Sequence, residues 1–186
     1  MATSETAIAN SALIKVGGSR IISLDDDSRE ARIVKEQYHK ILEKLLRSHP
    51  WNFAIVRVML AALTSEPAWG YDKEYQIPSA CVRVLGIDAQ DFEWVREGNV
   101  IRTDSTSLGI RYVSKDVEAG DFDACFAEAF AIKLAEDICY SFAESASLKE
   151  SLGKEFKDAI REARSFDAQE GGTVRVYARE WLNSRN

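Results

Sequence analysis

The chain has 186 residues, of which 46% are hydrophobic and 29% charged. These are globular values that exclude a disordered chain, and this length can bury a sizeable core without disulfides or metals. The net charge of −6 argues against a nucleic-acid binder, which needs a cationic surface to displace counterions from phosphates, although an anionic wall would let DNA slide past without trapping it.

Residues 4–16 read as a first helix. Thr3 or Ser4 caps it, Ile8, Ala12, Leu13 and Val16 form its apolar face, and Gly17-Gly18 ends it. A second helix starts at Asp25-Asp26-Asp27, with Asp27 and Glu30 in capping-box spacing. Its stripe of Ala31, Val34, Tyr38, Ile41 and Leu45 runs to about residue 47, and Pro50 stops it. From Trp51 the pattern changes to short runs rich in β-branched and aromatic residues. These include Tyr71 to Ile77, Val82 to Ile87 and Phe92 to Val95. A hairpin-type turn at Glu97-Gly98-Asn99 and a last run to Tyr112 complete a small antiparallel β region over 51–114. Asp121 opens a third helix to about residue 144, so apolar that a central position is expected. Ser147 and Glu150 make a capping box for a fourth helix, striped by Leu148, Leu152, Phe156, Ile160, Ala163 and Phe166. Gly171-Gly172 ends it, and residues 173–186 form a short isolated tail.

The expected fold is therefore α+β. About four helices form a bundle from 1–50 and 115–170, a small antiparallel β domain is inserted at 51–114, and a C-terminal tail spans 171–186. No run approaches the roughly 18 apolar residues that span a membrane, so no membrane association is expected. No basic segment precedes an apolar run at the N-terminus, so no signal peptide is expected.

No catalytic constellation emerges. His39 and His49 are the only histidines. His39 reads as a surface or boundary residue, and His49, beside a proline, reads as a structural hydrogen-bonding group. Cys81, Cys125 and Cys139 lack metal-ligand spacing and read as reduced thiols. Asp25-Asp26-Asp27 lacks the glycine and distal glutamate of a calcium loop, and Gly17-Gly18-Ser19 lacks the Gly-Lys of a phosphate loop. No enzyme activity, metal or cofactor is expected. Were there an enzymatic site, His49, Asp72 and Glu74 would be its candidates.

Three stretches resemble the tail tubular protein A family, the head-to-tail adaptors of short-tailed phages. The first is Ala9-Asn10-Ser11-Ala12-Leu13-Ile14-Lys15-Val16-Gly17 with Ile21-Ile22-Ser23-Leu24-Asp25-Asp26. The second and most specific is Leu45-Leu46-Arg47-Ser48-His49-Pro50-Trp51-Asn52-Phe53-Ala54, running on to Arg57 and Leu60. The third is Gly70-Tyr71 with Tyr75-Gln76-Ile77-Pro78 and Val82-Arg83-Val84-Leu85. The C-terminal half is similar through Phe126 to Ala135 and Trp181-Leu182-Asn183-Ser184-Arg185. Ser79-Ala80 departs from the family, which often has an acidic residue shortly after the proline.

The resemblance implies a helical bundle with an inserted β domain, and a structural virion protein. Its implied partners are a portal protein above and a tail nozzle protein below, within a dodecameric ring whose lumen passes DNA without sequence-specific binding. It would be made in the bacterial host cytoplasm and reside in the virion neck. A related head-completion or connector protein at another place in the stack is the alternative. His49, Pro50, Trp51 and Phe53 read as the joint between the two subdomains, with Trp51 as core that fixes two elements together. Arg175, Tyr177, Arg179, Trp181, Leu182 and Arg185 are of types enriched at interfaces and are expected to dock on the portal or a neighbouring subunit.

Overall fold

A computed structural model describes residues 3–65, 67–88 and 91–171. The architecture is α+β, with four helices and two three-stranded antiparallel sheets among the described residues. Helix α1 spans Glu5–Lys15, capped by the Ser4 hydroxyl, which accepts from the Ala7 amide. Gly17 ends it at φ +76°, a left-handed conformation that glycine adopts without steric penalty, and the Gly18 amide donates back to the Leu13 carbonyl at 2.8 Å. The loop that follows is tied down by Asn10, whose side chain accepts from the Ile21 amide at 2.8 Å and donates to the Ile21 carbonyl at 2.9 Å.

Helix α2 spans Arg29–Ser48. Its cap is Ser28, not Asp27: the Ser28 hydroxyl accepts from the Ala31 amide, while the Asp27 carboxylate turns outward to Arg32 at 2.8 Å. A cap accepts from an amide two or three residues on, and Ser28, extended at φ −97° and ψ 157°, holds that place for Ala31. Helix α3 spans Ala124–Phe142 and begins later than expected from Asp121, which belongs to a 3-10 turn at Ala119–Asp121. Asp123 is the cap, accepting from the amides of Cys125 and Phe126. Helix α4 spans Ala146–Glu170, with Ser145 as cap and Ser147 already inside the first turn. Gly171 follows it at φ −69°, without a left-handed turn.

Helix α3 is central, packing on α1, α2 and α4. Its Phe126, Phe130, Leu134 and Ile138 are buried in the core that all four helices share. Tyr38 of α2 is fully buried there against Phe130, ring centroids 4.8 Å apart. Its hydroxyl has no hydrogen-bond partner. An orphaned buried hydroxyl costs its desolvation, so Tyr38→Phe is expected to raise stability by ~1 kcal/mol at neutral pH. Burial, with a smaller contribution from Glu5, pushes the phenol above its ordinary value of 10.0. Above pH 10 the unfolded chain therefore loses this proton while the folded chain keeps it, and stability falls as pH rises. Urea titrations at pH 7 and pH 10.5 check both effects: the substitution should gain more at the higher pH.

The strands lie between α2 and α3. They are β1 (Ile55–Leu60), β2 (Lys73–Gln76), β3 (Cys81–Ile87), β4 (Trp94–Glu97), β5 (Val100–Thr103) and β6 (Leu108–Ser114). The first sheet has the order β1-β6-β3 and the second β2-β5-β4. Gly98 turns the β4–β5 hairpin at φ +58°. Between the sheets lies a second core of Tyr75, Ile77, Ile101, Leu108, Ile110 and Tyr112. The other face of the first sheet rests on the bundle at one end only, where Val113 is buried in the helical core and Leu85 packs against it. No described helix is long and apolar enough to cross a membrane.

Candidate functional site at the helix-to-sheet corner

The chain changes character over residues 49–54, and the structure explains how. Pro50 cannot donate an amide and excludes helical geometry for the residue before it, and His49 is extended at φ −152° and ψ 147°. Phe53 does not begin a strand: Asn52–Ala54 form a single 3-10 turn and β1 starts at Ile55. A β-rich composition does not distinguish a strand from the turn that feeds it.

Trp51 is the wedge. It is 1% exposed, and its indole Nε1 donates to the Leu45 carbonyl at 2.9 Å. Its ring meets Phe126 edge-on at 4.8 Å and His49 at 4.6 Å. Phe53 continues the cluster onto Phe122 at 5.3 Å and Phe126 at 4.9 Å. Edge-to-face pairs of this kind add specific geometry to simple burial. One aromatic cluster thus joins the end of α2, the turn before β1 and the start of α3.

A polar clamp closes the corner from the far end of α4. Asp167 Oδ1 accepts from the Asn52 amide at 2.8 Å, and Asp167 Oδ2 lies 2.9 Å from His49 Nε2. A carboxylate only accepts, so this imidazole nitrogen carries its proton. The Asn52 side chain donates to the Asp167 carbonyl, and Arg164 donates to the Ser48 hydroxyl at 3.2 Å. On the β side, Arg47 donates to the Val82 carbonyl at 2.9 Å and Arg83 to the Arg47 carbonyl at 3.2 Å. The corner is held from both sides. His49 and Asp167 are occupied with each other and with the Asn52 amide.

Sequence reasoning missed Asp167. It lies 118 residues from His49 on a helix whose local pattern marks it only as a polar position, so no nearby signal could reveal it. Among the described residues, His49, Asp72 and Glu74 share no partner. The Asp72 amide donates to Asp104, and Glu74 pairs with Arg102 at 2.8 Å. His39 is exposed. Cys139 is buried, Cys81 and Cys125 half-buried, and burial pushes the Cys81 and Cys125 thiols above their ordinary value. Among the described residues no group of three or more His, Cys, Asp or Glu is placed to hold a metal ion. The tail residues Arg175, Tyr177, Arg179, Trp181, Leu182 and Arg185 lie outside the described residues. The sequence matches no protein-family model, and comparison with curated proteins returns no match.

Proposed function

We propose that the protein is a structural component of a phage virion, a head-to-tail adaptor whose ring joins the portal to the tail nozzle and lines the DNA ejection channel. One observation carries this reading. The run His49 to Ala54, where the resemblance to the tail tubular protein A family is most specific, is the buried corner at which the β insertion leaves a four-helix bundle. A corner of that kind is what an adaptor requires. It must present two differently facing surfaces, one to the portal and one to the nozzle, and hold them rigidly while DNA passes. The Asp167 clamp and the Trp51 cluster supply that rigidity.

In this reading the tail 173–186 is the portal-docking element, with Arg175, Tyr177, Arg179, Trp181, Leu182 and Arg185 as its contact residues. A chain ending at Gly172 is expected to fold with an unchanged urea midpoint, because the clamp and both cores precede the deletion. It should fail to co-sediment with a cognate portal protein that captures the full chain. Equal capture of the two chains would sink the assignment of the tail.

A further inference from the structure

The outer face of the first sheet is covered by the bundle only at one end, and its uncovered part has an unusual composition. Read outward from the bundle, its residues fall into three cross-strand rows. The first is Ile55, Val113 and Arg83, against the helices. The second is Arg57, Arg111 and Gly86. The third sets Met59 opposite Gly109, with Asp88 beside it through reciprocal bonds. The Asp88 amide donates to the Gly109 carbonyl at 2.9 Å, and the Gly109 amide donates to Asp88 Oδ1 at 2.6 Å. These two outer rows line a depression of about 530 Å³.

Three features of the depression call for an occupant. Arg57 and Arg111 lie directly opposite each other on adjacent strands, an arrangement that is unfavourable for like charges. Neither has an acidic partner among the described residues. Gly86 contributes empty space, not close packing: a Cβ there would meet nothing within 4 Å. Met59 stands 61% exposed at the rim. The depression is thus open above Gly86, beside two guanidinium groups that have no ion-pair partner among the described residues, and is closed above Gly109, where the Asp88 carboxylate and the Met59 sulfur already fill the space a Cβ would take. It fits a polypeptide turn that offers one apolar side chain flanked by carboxylates.

The chain carries such a turn on its helical side. Ile22 is 91% exposed, and what sets it apart from other exposed apolar side chains is the turn that holds it. Its backbone is fixed: Asp26 Oδ2 accepts from the amides of Ile22 at 2.8 Å and Ser23 at 3.1 Å, and Asn10 clasps Ile21. Asp25 and Asp27 flank it with highly exposed side chains, paired only at the surface with Lys35 and Arg32. Surface pairs of this kind contribute ~0–1 kcal/mol and exchange readily for a better partner. The turn is a preorganised knob, with its acidic residues on hand for the arginines.

We infer that the depression over Gly86 receives the Ile22 turn of a second copy of the chain, with Asp25 and Asp27 against Arg57 and Arg111. Knob and hole lie on different subdomains, so the contact is heterologous, each copy using its knob on one neighbour and its hole on the other. Contacts of that type propagate and close into a ring where the rotation allows. This deepens the adaptor reading and rests on it, by naming the surfaces through which ring neighbours meet.

The test uses two single-sided variants of the full chain and needs no portal. Gly86→Trp fills the hole where there is room for a side chain, and Ile22→Asp removes the knob at an exposed position, so both should fold. In analytical ultracentrifugation at high protein concentration, the wild-type chain is expected to associate beyond a dimer, and each variant alone to remain a monomer. Mixed together, the two should form a one-to-one dimer and stop there, because each lacks one half of the contact. The charge pairing is read from Arg57→Glu/Arg111→Glu, expected to be monomeric alone and to associate with Asp25→Arg/Asp27→Arg. A mixture of the single-sided variants that stays monomeric, or variants that associate as the wild type does, would overturn the inference. Portal capture is scored separately, so a chain that caps the portal without this contact loses the knob-and-hole assignment and keeps the adaptor reading.

Discussion

Trp51→Ala is expected to cost about 4 kcal/mol, a large part of the roughly 5–15 kcal/mol that holds a domain of this kind folded. The side chain is 1% exposed, and its ring contacts Phe126, Phe53 and His49. Truncation removes its burial and leaves a cavity lined by other aromatic rings, which are tied to three different elements and cannot collapse inward together. Trp51→Phe separates the contributions. It keeps most of the burial and loses the bond to the Leu45 carbonyl, which the Ser48 hydroxyl still satisfies at 2.8 Å. That variant should lose only about 1 kcal/mol. Urea midpoints with an unchanged slope read both values. A Trp51→Ala protein within about 1 kcal/mol of wild type, on the same scale, would remove the corner from its structural role.

Asp167→Ala is expected to cost about 2 kcal/mol, because it strips the Asn52 amide and the His49 ring of a charged acceptor at once. The loss should be local first. The bond from the Asn52 side chain runs to the Asp167 carbonyl and survives the substitution, so α4 should fray from its last turn without melting. Hydrogen exchange over residues 165–171 should accelerate well beyond the change in the bundle centre, because local opening draws on fewer buried contacts than global unfolding. Asp167→Asn retains an acceptor for the Asn52 amide and should recover at least half of the loss. Uniform acceleration throughout the chain would show that Asp167 is no local clamp.

The helices were the most legible part of the sequence because their information is local. The stripe from Ala31 to Leu45 falls on a buried face and that from Leu148 to Ala163 on a buried or half-buried one, but Phe166, expected to end the second stripe, is 44% exposed, because it lies beyond the last turn of α4 that the bundle covers. The capping residues were harder. Asp27 and Ser28 are both competent caps one residue apart, and only the path of the chain selects the serine. Ser145 and Ser147 pose the same choice, as do Asp121 and Asp123. The β region was legible as a region but not as two sheets. Its pairing sets β6 between β1 and β3, strands well before it in sequence, and short apolar runs do not announce their partners. Trp51 could be read as a wedge from residue type and position. Asp167 could not, because its meaning comes entirely from where α4 ends. The depression on the first sheet left one faint trace, a glycine inside a mostly apolar strand at Gly86, a pattern that can mark a close approach by another backbone.

The adaptor reading joins a family resemblance concentrated at one corner to a structure in which that corner links the end of α2 to β1 through the buried Trp51. Electron microscopy of the purified full chain mixed with a cognate portal protein tests it most directly. The expected image is a ring of this protein seated on the tail-side face of the portal, coaxial with its channel. Bare portal particles beside an unbound protein, at concentrations where both are folded, would contradict it.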